Sequence, residues 1–257
     1  MITLLVSSKS MVLKEVSFKL KPSKAMFDIE SKQIHEALEK LSLDEIRKLM
    51  HISENLGLEV KNKIDNWQKD KAHPAWLLFS GDVYKGLVAE SLDKSDFEWA
   101  QNKVWTLSGL YGIARPLDNI KPYRLEAGFK LKVGDKKCLY DFWEGKINKV
   151  INDEFVINLS SEEYIKLIRK NYKGKIITPL FLQDRKKDGK NEIKFEAVHA
   201  KVARGMMARW IIKNRVDDPS LLKNFNEDNY FFDAKRSSEL EPVFIRKAEG
   251  VMKIKKD

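Results

Sequence analysis

Cysteine is almost absent from the 257 residues: Cys138 stands alone, and the four histidines, His35, His51, His73 and His199, are scattered. One thiol excludes an internal disulfide and fits a reducing cytoplasm, the expected location. No His or Cys pair has zinc-ligand spacing, so metal binding finds little support and no cofactor is expected. A magnesium ion held by Asp82, Asp118 or Glu126 stays open. No apolar run approaches the roughly 18 residues of a membrane span, and Met1–Val6 meets Ser7-Ser8-Lys9 too soon for a secretory leader. That segment reads as a buried first strand. Low-complexity tracts, Gly/Ser linkers and internal repeats are missing, so residues 1–257 are expected to form one domain. A nucleophile elbow is missing too, and no catalytic motif is recognised. Cys138 follows Lys136-Lys137, which favours a thiolate. It also alternates with Leu139 in a strand-like stretch, which favours a buried, inert thiol.

Charge and apolar residues are plentiful. Hydrophobic residues make up 43% and charged residues 33%, the balance of a chain with a substantial core. Lys and Arg number 48 against 38 Asp and Glu, a formal charge of +10. Such an excess favours nucleic acid, acidic surfaces or anionic ligands as partners. It is concentrated late in the chain: Lys166–Lys194 holds ten basic and three acidic residues, and Lys201–Arg215 five basic residues without an acid.

The periodicity predicts helices through most of 28–70, with Ser42 and Glu45 as a capping box. Ala75–Phe79 reads as a short buried strand and residues 95–107 as an amphipathic helix capped by Ser95. Phe129–Val133 reads as a strand turning at Gly134-Asp135 into Lys137–Tyr140, followed by a helix over 142–152. Phe155–Leu159 reads as a buried strand, Ser161 as the cap of a helix through Ile168, and Lys175–Leu182 as a strand broken at Pro179. Glu192–Val198 alternates. A long helix from about Ala200 to Arg215 follows, then strands at Tyr230–Phe232 and Val243–Ile245. Strands and helices alternate irregularly, so the expected fold is a mixed α/β (α+β) domain with a central mixed sheet and surrounding helices.

Three groups of residues carry candidate chemistry. Leu107–Asp118 with Pro122–Gly128 packs three glycines, two prolines, two arginines (Arg115, Arg124) and two tyrosines (Tyr111, Tyr123) into one loop region. Arginine forks suit phosphate or carboxylate, though a loop stapled by its own aromatics has the same composition. In the helix after Ala200, Lys201, Arg204, Arg209, Lys213 and Arg215 spread over about half the circumference at ~100° per residue. Gly205 inside that arc permits close approach of a phosphate or of another helix. Two strand ends complete the set: Asp82, Tyr84 and Lys85 between Gly81 and Gly86, and Asn158, Ser160, Ser161 and Tyr164 at a helix start. Strand ends in open α/β sheets are where ligands bind, while Asp82 also fits a turn and Ser161 a cap.

In this order the segments resemble the YaaA family of peroxide-stress-resistance proteins. The likeness covers Ser8-Lys9, Phe79–Leu87, Leu107–Asp118, Pro122–Gly128, Leu139–Trp143, Val156–Tyr164, Ala203–Arg209 and Tyr230–Asp233. Val6-Ser-Ser-Lys-Ser10 departs from the family's Ser-Pro-Ala-Lys-Thr but keeps the lysine. The resemblance implies a cytoplasmic protein of the peroxide stress response that binds DNA and limits free iron, with a positively charged cleft and a helix-hairpin-helix element. Two segments offer that element, the helix before Leu107 with Gly109–Gly112, and Leu43–Ile64 with a break near Asn55–Gly57. Lys9, Arg115, Arg124, Lys201, Arg204 and Arg209 are expected to contact phosphates of duplex or branched DNA, with no membrane contact. Tyr84 and Tyr111 are expected to stack on bases. The competing expectation is an enzyme acting on a nucleobase or nucleotide in a polar pocket of Asp82, Tyr84, Tyr111, Asp118, Glu126, Asn158, Ser160 and Tyr164.

Overall fold

The computed structural model describes residues 1–187 and 190–247. The apolar opening run forms β1 (Ile2–Val6), followed by the two-residue strands β2 (Ser10–Met11) and β3 (Ser23–Lys24). Helices α1 (Asp28–Glu39), α2 (Leu43–Met50) and α3 (Glu54–Asn66) fill the region of helical periodicity. The capping box at α2 is present, Ser42 Oγ accepting from the Glu45 N–H and Glu45 Oε2 from the Ser42 N–H. His51 ends α2 in the left-handed region at φ 51°.

Next come β4 (His73–Pro74), the single helical turn α4 (Ala75–Leu78), β5 (Phe79–Ser80) and α5 (Asp82–Leu87). Ala75–Leu78 is buried throughout yet helical, because five apolar residues are too few to distinguish a buried turn from a buried strand. α6 (Lys94–Ala100) is capped by Asp93, whose Oδ1 accepts from the Asp96 N–H; the Ser95 hydroxyl donates to Asp93 instead. The helix expected over 95–107 therefore stops at Ala100. Its last third is β6 (Val104–Ser108), buried along all five residues. β-branched and aromatic residues there satisfy a central strand, and pairing overrides the helical spacing.

β7 (Gly112–Ala114) turns back against β6, and β8 (Asp118–Ile120) follows. Of the hairpin expected across 129–140, only a bridge between Val133 and Lys136 forms around Gly134, and α7 (Leu139–Trp143) takes the place of its second strand. Cys138 is half-buried at the N-cap of α7. The helix expected over 142–152 reduces to the end of α7 and a 3₁₀ turn at Ile147–Lys149. β9 (Phe155–Asn158), α8 (Glu162–Arg169), β10 (Lys175–Ile177), β11 (Leu180–Lys187), β12 (Lys190–Phe195), α9 (Ala197–Lys213), β13 (Tyr230–Phe232) and β14 (Val243–Lys247) complete the order.

A strand apolar on both faces belongs inside a sheet. β1 accordingly lies at the centre of β10-β9-β1-β6-β7, parallel to β6 and β9, with β7 antiparallel at one edge. A second mixed sheet runs β12-β11-β14-β13. The fold is thus mixed α/β. From β1 the chain leads to β6 on one side, and from β9 to β10 on the other. The C-terminal ends of β1 and β9 therefore border a topological switch point, the place where open α/β sheets leave a crevice. Among the described residues no helix is long and apolar enough to cross a membrane.

The α5–α9 crossing closes this region. A Cβ on Gly205 would lie 1.8 Å from the Val83 carbonyl oxygen, and one on Gly86 would lie 2.0 Å from that of Val202. Gly205 therefore admits a helix, not a phosphate. Neither segment proposed for a helix-hairpin-helix carries its glycine in a helical connection. Gly109–Gly112 joins the strands β6 and β7. Gly57 lies inside α3, where a Cβ would meet Arg47 Cγ of α2 at 2.7 Å, so it serves the packing of two helices.

Candidate functional site

A cleft of about 380 Å³ opens at the C-terminal end of β1. Val6–Ser10 forms one side, and Ser80–Tyr84 brings in β5 and the start of α5. Ser161, Glu163 and Tyr164 come from the start of α8, Glu126 from the loop after β8, and Lys201 and Arg204 from one turn of α9. Ser161 occupies the N-cap of α8, but its side chain makes no capping bond and faces the cleft instead. Gly81 adopts φ 116°, and a Cβ there would approach Ser8 Oγ to 3.3 Å, so this wall calls for glycine.

The floor is aromatic and uncharged. The Tyr84 hydroxyl donates to Val6 O at 3.1 Å and lies 3.2 Å from Thr106 Oγ1. Ser7 Oγ donates to the Tyr164 hydroxyl at 3.3 Å. Burial pushes both phenols well above the ordinary tyrosine value, and Tyr123 behind them, bonded to Ser108, up to about 12. All three stay neutral at physiological pH.

The rim carries both signs of charge. Lys9 Nζ pairs with Glu126 Oε2 at 2.7 Å, and Glu163 Oε1 accepts from the Gly128 N–H at 2.8 Å. Among the described residues Asp82 pairs only with Lys85, at 3.9 Å. Among the described residues Arg204 and Lys201 make no ion pair. Arg204 is half-buried, its Nε is fully covered without a hydrogen-bond partner, and burial lowers its pKa from the usual guanidinium value.

Of the residues singled out from sequence, the cleft collects Lys9, Asp82, Tyr84, Glu126, Ser161, Tyr164, Lys201 and Arg204. The others lie elsewhere, each for a visible reason. Arg115 grips Asp118, Nη2 to Oδ1 at 2.8 Å and Nε to Oδ1 at 3.0 Å, while its N–H donates to Oδ2. Asp118 is fully buried and also accepts from Ser23 Oγ at 2.7 Å. Both are consumed by this internal pair, so Arg115 does not face the cleft. Arg209 donates to Leu87 O, Val88 O and Ser91 Oγ, tying α9 to the end of α5. Arg124 borders a void of about 10 Å³ beside His35 and Trp67, with its Nε covered and unpartnered. The Tyr111 hydroxyl accepts from the Lys121 N–H, and Tyr84 and Tyr111 are 1% and 2% exposed, so neither presents a face for stacking. Asn158 Oδ1 accepts from the N–H and Oγ of Ser160, and Asn158 Nδ2 donates to Thr178. That pair turns the chain after β9 beneath the surface.

Sequence reasoning passed over Ser7 and Ser10 as cleft residues. The signal for the serines was a polar stretch immediately after an apolar strand. Among the described residues no group of three or more His, Cys, Asp or Glu side chains is placed to hold a metal ion. The family model described as peroxide stress protein YaaA matches residues 1–236, a span that contains every wall of the cleft. The chain belongs to that family, H2O2_YaaD, the peroxide stress proteins.

Proposed function

We propose that this peroxide stress protein binds DNA at the strand-end cleft, with Arg204 and Lys201 on phosphate oxygens. The carrying observation is Arg204, half-buried, lining the cleft and without an anionic partner. A phosphate supplies that partner, and Lys201 one turn earlier on α9 adds a second cation. The rim's own carboxylates and a volume of about 380 Å³ suit a branch, an end or a single extruded residue better than the flank of a duplex. Protection of DNA and a lowered level of free iron follow from this binding as downstream effects.

Fluorescence anisotropy with labelled duplex, branched and single-stranded oligonucleotides tests the reading. Affinity falls steeply between about 50 and about 200 mM salt, with little dependence on sequence. Arg204→Ala weakens binding at least tenfold and lowers the salt slope by about one. Arg169→Ala, on an exposed pair with Glu162, changes nothing. If Arg204→Ala folds and binds every DNA as the native chain does, the reading is wrong.

A second reading, an enzyme acting on a nucleobase or nucleotide, is favoured by the carboxylates of Asp82, Glu126 and Glu163 in the same cleft. Phosphate binding alone requires none of them, whereas proton transfer does. In a peroxide-survival assay, Asp82→Asn that still holds DNA but no longer protects cells supports the enzyme; full protection by that variant excludes Asp82 as its acid or base.

A further inference from the structure

Asp82 and Arg204 border one cleft next to the α5–α9 crossing. Asp82 precedes Val83 and Arg204 precedes Gly205, and the missing Cβ of Gly205 lies 1.8 Å from Val83 O. Both side chains line the cleft, yet they form no ion pair with each other. Among the described residues Asp82 has the 3.9 Å approach of Lys85, and Arg204 makes no ion pair, its covered Nε being without a hydrogen-bond partner. One pocket thus carries an acceptor and a donor that are not paired with each other, and a single ligand can meet both.

Phosphate satisfies Arg204 and Lys201 and leaves Asp82 unanswered. A carboxylate there calls for N–H donors on the same ligand. Guanine supplies two adjacent donors, N1–H and the N2 amino group, which match the two oxygens of a carboxylate. Adenine and cytosine place one amino group beside an acceptor, and thymine offers one N–H between two carbonyls. We propose that the cleft is a mononucleotide pocket selective for guanine-type bases, with the phosphate on Arg204 and Lys201 and the base edge on Asp82. The inference rests on the proposed DNA binding only for the source of the nucleotide, an extruded guanylate. Oxidation of guanine at C8 keeps this edge and converts N7 from an acceptor to an N–H donor. The oxidised base therefore remains a ligand, in a cleft with two further carboxylates, Glu126 and Glu163.

Isothermal titration of the full chain with dGMP, 8-oxo-dGMP, dIMP, dTMP and inorganic phosphate tests this. dGMP and 8-oxo-dGMP bind at least about fivefold more tightly than dIMP, which lacks the amino group, and than dTMP, as expected for a bidentate edge contact. Phosphate binds most weakly. Asp82→Asn brings dGMP to the affinity of dTMP, and Asp82→Ser does the same if the first variant misfolds by circular dichroism. Arg204→Ala weakens every nucleotide. Equal binding of dGMP and dTMP by the native chain, or a guanine preference that survives both Asp82 variants, overturns the proposal. Arg204-dependent DNA binding without base preference defeats the pocket alone; guanine preference without DNA binding upholds the pocket and defeats the DNA reading.

Discussion

Gly205→Ala sets two effects of opposite sign against each other. Alanine in a helix interior is favoured over glycine by about 1 kcal/mol, so propensity alone predicts a more stable protein. The crossing reverses that. The new Cβ falls 1.8 Å from Val83 O, 2.7 Å from Leu87 N and 2.9 Å from Val83 C, while ordinary contact begins at 3.4 Å. The two helices must part by about 1.6 Å, and the obstructing atoms are backbone with no rotamer to escape into. α5 resists the move, because Val83, Tyr84 and Leu87 are buried and the Tyr84 hydroxyl holds Val6 O. Overpacking costs about 1–3 kcal/mol when side chains can yield. With backbone on backbone, a net loss of about 2–3 kcal/mol is expected, roughly 5–10 °C in Tm for a chain of this size. Thermal melts and urea titration by circular dichroism measure it. A Gly205→Ala protein as stable as the native one, or more stable, refutes the crossing argument. Gly86→Ala should share the sign, its Cβ 2.0 Å from Val202 O. Gly134→Ala, at φ 59° with nothing nearby, should lose only about 1 kcal/mol to strain.

Asp118→Asn leaves the Arg115 fork without its charge partner and is expected to destabilise by about 3 kcal/mol in chemical denaturation, with no direct effect on ligand affinity. At Asp96 burial opposes ionisation, but donors from Lys213, the Asp93 N–H and Arg215 outweigh it and hold the carboxyl below its usual pKa. Its stabilisation is therefore complete above about pH 4 and fades as pH falls further. Urea midpoints from about pH 7 down to about pH 2 should show a shallower acid limb in Asp96→Asn than in the native chain. His51→Gly, at an exposed helix end with φ 51°, should stabilise by about 0.5–1 kcal/mol in the same urea assay.

The elements that sequence reveals are those whose signal is local. β1 and β9 are apolar runs bounded by turns, and the α2 cap is two residues at fixed spacing. β6 is different. Val104 and Leu107 continue the spacing of Phe97 and Ala100, and only pairing with β1 and β7 makes them a strand. The arginines teach the same lesson at the level of the site. Arg204 and Arg209 share one basic arc on α9, but Arg209 meets the carbonyls of Leu87 and Val88 while Arg204 meets an open cleft. No local window contains that distinction. Arg115 differs again, since Asp118 three residues on was in view; what composition could not convey is that Asp118 is fully buried, which makes the pair internal.

The central position of β1 has a consequence during synthesis. It emerges well before its neighbours, Val104–Leu107 on one side and Val156–Asn158 on the other. At about 5–20 residues per second, an apolar strand waits at least about 5–20 s on the ribosome without a partner. Only α1, α2 and α3, whose contacts lie close in sequence, can condense in that interval. The cleft forms later still, since α9 supplies its last wall. A newly made chain therefore passes through a period in which an apolar strand is unpaired and its cleft does not yet exist.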